Sequence, residues 1–158
     1  MSKTPLLTEE LAKSMFASGK EDLVKAAKNA YPLLFQKITD KIKSFEDACL
    51  LVGEDPNHPK WHSDDSADLP FIDFRKCTVI AKALNEGWEP DWDNSNEYKY
   101  YPWFDMRSSG GGFSFYVSAY VGAGSGVVSR LCFKSSELAE YAGTHFLDLY
   151  KSWMVISK

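Results

Sequence analysis

The chain has 158 residues, with 18 Lys and Arg against 22 Asp and Glu, 44% hydrophobic residues and 15% aromatic residues. That length suits one compact α+β domain over residues 1–158, and five Trp, eight Tyr and ten Phe exclude intrinsic disorder. Residues 1–43 carry eight Lys against five acids, whereas residues 44–158 carry ten Lys and Arg against seventeen acids, an acidic body that disfavours a phosphate-binding main surface.

Helix signals dominate the first half. Thr8 caps a short helix that Gly19 stops, with Glu9 and Glu10 in its positive first turn and Leu7, Leu11 and Met15 on one stripe. Residues 1–19 read as an N-terminal helical arm. A second helix starts near Lys20, turns Leu23, Val24 and Ala27 inward, and ends or kinks at Pro32. Leu33, Leu34, Phe35 and Ile38 suggest that the helix resumes toward Lys43. Ser44 caps a third piece, Phe45 to Val52, which Gly53 ends. Residues 54–68 hold two Pro, two His and five acids, and read as a loop. Phe71 to Glu86 is the clearest helix, with Phe74, Cys77, Ile80, Ala81 and Leu84 at helical spacing and Gly87 closing it.

The second half changes character. Residues 88–105 carry seven aromatics, and Tyr98 to Asp105 reads as a strand. Gly110–Gly112 turn the chain into Phe113 to Val121, where Phe113, Phe115, Val117, Ala119 and Val121 alternate with Ser114, Tyr116, Ser118 and Tyr120. Period two with one polar face predicts a half-buried antiparallel strand. Gly122–Gly126 makes a hairpin turn, and Val127 to Phe133 returns as a third strand. Ser135 or Ser136 caps a last helix whose inner stripe is Leu138, Ala142, Leu149 and Trp153. The expected architecture is N-terminal helices followed by a small antiparallel β-meander packed against a C-terminal helix.

The short motifs fail as catalytic or metal signatures. Gly122–Gly126 lacks the Gly-Lys-Ser/Thr ending of a phosphate loop and precedes a strand instead of a helix. Asp91-Trp-Asp93-Asn-Ser95 begins like a calcium loop, but Asn96 stands where Gly is needed and Pro102 where Glu is needed. His58, His62, Asp64, Asp65 and Asp68 share one loop, where Pro59 breaks the helix that an i,i+4 His pair requires. His145 has no nucleophile near it in sequence and reads as a core-edge residue with one hydrogen bond. Cys49, Cys77 and Cys132 lie apart in apolar surroundings and read as free buried thiols. No metal and no cofactor is expected. The charged first twenty residues break any signal-peptide core, and the longest uncharged run holds six Gly, so the expectation is a cytoplasmic protein with no membrane contact.

The aromatic segment is the most informative feature. Trp92, Tyr98, Tyr100, Trp103, Tyr116 and Tyr120 form the expected contact patch, with Tyr and Trp suited to a partner's side chains. Arg107, Arg130 and Lys134 are the expected anion contacts. Residues 86–105 carry six acids and one base, so stacking of single-stranded nucleic acid is the weaker alternative to protein contact. A small enzyme or metal site built from the 58–68 loop and His145 is the third reading.

Three segments carry a resemblance: Ala83 to Trp92, Lys99 to Phe104, and Ser129 to Gly143. Together they resemble a group of small proteins found in phage-like and mobile elements of gut Bacteroidetes, over about residues 82–150. That group has no assigned activity. The resemblance therefore implies a mobile-element setting in a bacterial cytoplasm and transfers no catalytic residue. The resulting expectation is a non-catalytic accessory or structural protein, acting through protein–protein contact as a homo-oligomer.

Overall fold

A computed structural model describes residues 7–32, 34–107, 112–126 and 129–156. Seven α-helices and one two-stranded antiparallel sheet occur among them, so the chain is α+β. Packing divides it into two compact units, residues 1–40 and 41–158. Among the described residues no helix is long and apolar enough to cross a membrane.

In the first unit the helix signals act locally. Thr8 accepts the Leu11 amide at 3.3 Å and opens α1 (Glu9–Ala17). Helix α1 packs on α2 (Glu21–Ala30), and each contributes a buried alanine, Ala12 and Ala27. The Tyr31 hydroxyl donates to the Leu7 carbonyl at 2.5 Å. The expected resumption of helix after Pro32 shrinks to one turn, α3 (Ile38–Lys41). Pro32 withholds an amide donor, and Phe35 turns back to stack on Phe16 with ring centroids 4.5 Å apart. Leu33 lies outside the described residues.

The second unit is organised around one long helix. Ser44 and Asp47 form a reciprocal capping box that starts α4 (Phe45–Val52), and Gly53 closes it at φ 75°. Helix α5 (Leu69–Leu84) begins two residues earlier than its apolar pattern, because Pro70 is well suited to a first turn. Ile72, Cys77, Ile80, Ala81 and Leu84 form its buried face. The single expected C-terminal helix is two, α6 (Ser136–His145) and α7 (Leu147–Met154), broken at the buried Phe146. The break has a packing cause: α6 lies on the sheet while α7 lies on α5.

The sheet is a hairpin of β1 (Lys99–Asp105) and β2 (Ser114–Val121). The expected third strand is absent among the described residues, and Val127 and Val128 lie outside them. Ser129–Leu131 form a 3₁₀ turn, and one bridge remains, with the Tyr100 amide donating to Phe133 O at 3.0 Å and the Phe133 amide to Tyr100 O at 2.8 Å. Leu131, Cys132 and Phe133 are all buried, whereas a half-buried strand would alternate. Asn85 takes up the backbone groups on either side of Phe133. Its Nδ2 donates to Cys132 O at 2.8 Å, and its Oδ1 accepts the Lys134 amide at 3.0 Å.

The alternation read in β2 is also corrected. Trp103 pairs with Val117 and Phe104 with Phe115, so Tyr116 is an extra residue that opposes nothing. One inserted residue exchanges the two faces beyond it. Phe115 sits beside Pro102 under α6, where both crowd Gly143. Past the bulge, Val117 is 45% exposed and Ser118, its neighbour on the other face, has a buried hydroxyl with no hydrogen-bond partner among the described residues.

Cys49, Cys77 and Cys132 are buried, as their surroundings suggested, and none forms a disulfide among the described residues. Burial pushes the Cys77 thiol up to about 12 and the Cys132 thiol up to about 11. The folded chain thus keeps protons that the unfolded chain releases above the ordinary thiol value, and stability falls as pH rises through that window. At pH 8 these two thiols are expected to react with a disulfide reagent roughly a hundredfold more slowly in native protein than in urea. Equal rates in both conditions would contradict this packing.

Candidate functional site

Side chains singled out in the sequence separate into two surfaces of the second unit. The first is the hairpin. Tyr98, Tyr100 and Tyr120 form a cluster at one end, with ring centroids 4.5 Å apart for Tyr98–Tyr120 and 5.9 Å for Tyr100–Tyr120. Tyr100 and Tyr120 are cross-strand partners, which places them on one face. Trp103 lies against Tyr101 on the opposite face, beside its partner Val117. Tyr116 projects from the bulge. Trp103 is 52% exposed, Tyr116 68% and Tyr120 57%. Strand β2 has no neighbour on its outer side among the described residues.

The three expected anion contacts do not converge. Arg107 binds Asp105, with Nε 2.9 Å and 3.1 Å from the two carboxylate oxygens, and holds that carboxyl down at about 2. Lys134 pairs with Glu86 at 2.8 Å. Arg130 stands apart from both, at the second surface.

That second surface is a cleft of about 880 Å³. Its floor is one face of α5, since Arg75, Thr78, Val79 and Lys82 follow at helical i, i+3, i+4, i+7 spacing. One wall comes from the loop before α5, where Lys60 pairs with Glu54 and Trp61 is buried. The Lys60 hydrogen bond holds the Glu54 carboxyl below its ordinary value, and the charge of Lys82 adds to that. Trp61 donates its indole N–H to Asp55 O at 3.0 Å and carries the Arg75 guanidinium 5.4 Å above its ring. The other wall holds Trp88, Trp92 and Arg130.

Backbone strain positions Trp88. Glu86 and Gly87 are both left-handed, at φ 53° and φ 86°, which turns the chain sharply after α5. A non-glycine residue there costs about 1 kcal/mol, offset by the Glu86–Lys134 ion pair and by the Trp88 amide donating to Asn85 O at 3.0 Å. Trp92 is held from two sides. Its N–H donates to Ser129 Oγ at 2.9 Å, and the ammonium of Lys99 lies 5.5 Å from its ring. Lys99 is 0% exposed, and its ammonium donates to Asn94 O at 2.9 Å with Glu97 at 3.5 Å. This buried cation anchors the 91–97 loop to the hairpin.

The sequence pointed to Trp92 and Arg130 but missed Arg75, Lys82 and the role of Trp61. A signal was present: Arg75 and Lys82 lie off the apolar stripe of α5, and a lone Trp61 interrupts a polar loop. Elsewhere, His58 accepts the Lys60 amide at 3.1 Å and caps a 3₁₀ turn at Pro59–Trp61. His145 is exposed, stacks on Tyr141, and has Nε2 2.8 Å from Lys43 O. Among the described residues no three His, Cys, Asp or Glu side chains group as metal ligands would. No protein-family model, curated protein or solved structure matches this chain.

Proposed function

We propose that this chain is a non-catalytic accessory protein that works by protein–protein contact and assembles with a second copy of itself along the outer edge of β2. The observation that carries this reading is the composition of that edge. Ser114 to Val121 contains no charged residue, no Pro and no Gly, yet it has no neighbouring strand on its outer side among the described residues. Soluble proteins ordinarily guard such an edge with Lys, Pro or a covering element. A bulge twists this one at Tyr116, but leaves five residues, Val117 to Val121, in regular register with β1.

A second copy is the occupant that symmetry favours. Two antiparallel edges pair around a twofold axis, and the same residues then meet themselves. Pairing extends the two-stranded hairpin, which rests on α6, to a four-stranded sheet. Tyr116, Tyr120 and Trp103 flank the junction and supply aromatic area where interfaces concentrate their energy. The resemblance of residues 82–150 to proteins of phage-like elements supports a mobile-element role in a bacterial cytoplasm.

Sedimentation velocity tests the assembly. The wild-type chain is expected to sediment as twice its 17.8 kDa mass at about 50 µM, a concentration at which an interface of micromolar affinity is mostly filled. Tyr116→Lys and Tyr120→Lys each bring like charges together across the axis and are expected to give monomers with unchanged circular dichroism. A wild-type monomer, or variants that remain dimeric, would contradict the reading.

A further inference from the structure

We infer that the cleft between Trp88, Trp92 and α5 is a binding site for a nucleotide, with the base against an indole face and phosphate on Arg75, Lys82 and Arg130. This site is separate from the hairpin edge and does not depend on self-assembly.

The charge distribution of the cleft favours an anion. The chain carries a net charge of −4, yet the cleft gathers four cations against two acids. Lys60 and Glu54 neutralise each other by direct pairing. That leaves Arg75, Lys82 and Arg130 facing one space with Glu89 as the remaining acid. Among the described residues Lys82 and Arg130 form no ion pair, whereas the exposed Arg107 and Lys134 each do. Cations that line one space repel one another, and an anion among them relieves that cost.

An aromatic wall faces these cations. Trp88 and Trp92 are half-buried, so part of each ring faces the cleft. The Trp92 ring is fixed by its Ser129 hydrogen bond and the buried Lys99 ammonium, and the Glu86–Gly87 turn directs the backbone that carries Trp88. Pre-positioned rings lose little conformational freedom when a flat ligand stacks on them. Trp61 is buried and does not take part directly; it fixes Arg75 from below. A planar base joined to a phosphate matches this pairing of indole and guanidinium, and single-strand binding proteins use the same combination. The volume of about 880 Å³ lies within the usual range for small-ligand sites and accommodates one or two nucleotides.

One shared chemistry has two sources, a free mononucleotide and a nucleotide unit of a single strand. Titration of intrinsic tryptophan fluorescence with AMP and with a six-residue oligothymidylate, at about 20 mM salt, separates them. Quenching by AMP that the oligomer does not improve assigns the site to free nucleotides. Tighter binding of the oligomer, with log affinity falling against log salt by about 0.7 per phosphate contacted, assigns it to single strands. Adenosine and inorganic phosphate, each lacking one half of the ligand, are expected to bind at least tenfold more weakly than AMP in the first case.

Lys82→Ala and Arg130→Ala are each expected to weaken binding about fivefold, and Trp88→Ala about tenfold or more. Lys82→Glu, on the exposed face of α5, provides a charge reversal that leaves the packed face untouched. Tyr116→Lys is expected to bind nucleotide as the wild type does, which keeps this site distinguishable from the assembly reading. No quenching by either ligand at about 1 mM, or binding indifferent to Lys82→Glu and Arg130→Ala, would overturn the inference.

Discussion

Replacing Asn85 with Leu is expected to lower stability by about 4 kcal/mol and the melting temperature by roughly 10 °C. Leu has the same branched arrangement of four side-chain heavy atoms as Asn, so no cavity is created. What is lost is the pair of hydrogen bonds to Cys132 O and the Lys134 amide, at 2.8 Å and 3.0 Å. Both backbone groups lie beside the buried Phe133 segment, and each unsatisfied group there costs about 1–3 kcal/mol. Asn85→Asp keeps an acceptor for Lys134 but sets a buried carboxylate oxygen against Cys132 O, so a loss at least as large is expected at neutral pH. Thermal unfolding followed by circular dichroism checks both variants. An Asn85→Leu variant as stable as the wild type would show that these backbone groups find other partners.

The second large effect is at Gly143, in the last turn of α6. A methyl group there would come 2.6 Å from a ring carbon of Phe115 and 2.7 Å from Cβ of Pro102. Alanine ordinarily favours a helix by about 1 kcal/mol over glycine. Overpacking of this severity costs about 3 kcal/mol, because a proline ring within a paired strand cannot give way. The expected net result for Gly143→Ala is a loss of about 2 kcal/mol, opposite in sign to the helix preference. Phe115→Leu in the same chain is expected to recover part of that loss, so the two changes should be less than additive. Gly143→Ala raising stability would mean that α6 stands further from the hairpin than described.

These two positions show where sequence reading stops. Helix boundaries set by short-range chemistry were legible, because the groups concerned lie within four residues of each other. Thr8, Ser44, Gly53 and Ser135 all act in that way. Asn85 acts on residues 47 and 49 positions away, and nothing in its neighbourhood announces that reach. Its two bonds flank the single Tyr100–Phe133 bridge, where the Val127–Phe133 pattern suggested a third strand. The bulge at Tyr116 was equally hidden, since alternation along one strand carries no information about a register shift against its partner. That single shift placed Val117 outward and turned the Ser118 hydroxyl inward.

The cleft was only partly legible for a related reason. Counting charges along residues 86–105 gives six acids and one base, which argues against an anionic ligand. The cations that line the cleft come instead from α5, from the loop before it and from the turn at Arg130. Local charge totals describe a segment, whereas a ligand meets a surface assembled from several. Conversely, Arg107 and Lys134 looked available in sequence and are occupied by Asp105 and Glu86.

The central claim is that two copies meet along the outer edge of β2, and amide hydrogen exchange reads that edge directly. Exchange is compared between the wild-type chain at about 50 µM, the same chain diluted below its dissociation constant, and the Tyr116→Lys variant. The account predicts that peptides covering Ser114 to Val121 are protected in the concentrated wild type and lose that protection both on dilution and in the variant. Peptides from α5 should not change. Protection of β2 that is identical in all three samples, or a concentration-dependent change located elsewhere in the chain, would contradict it.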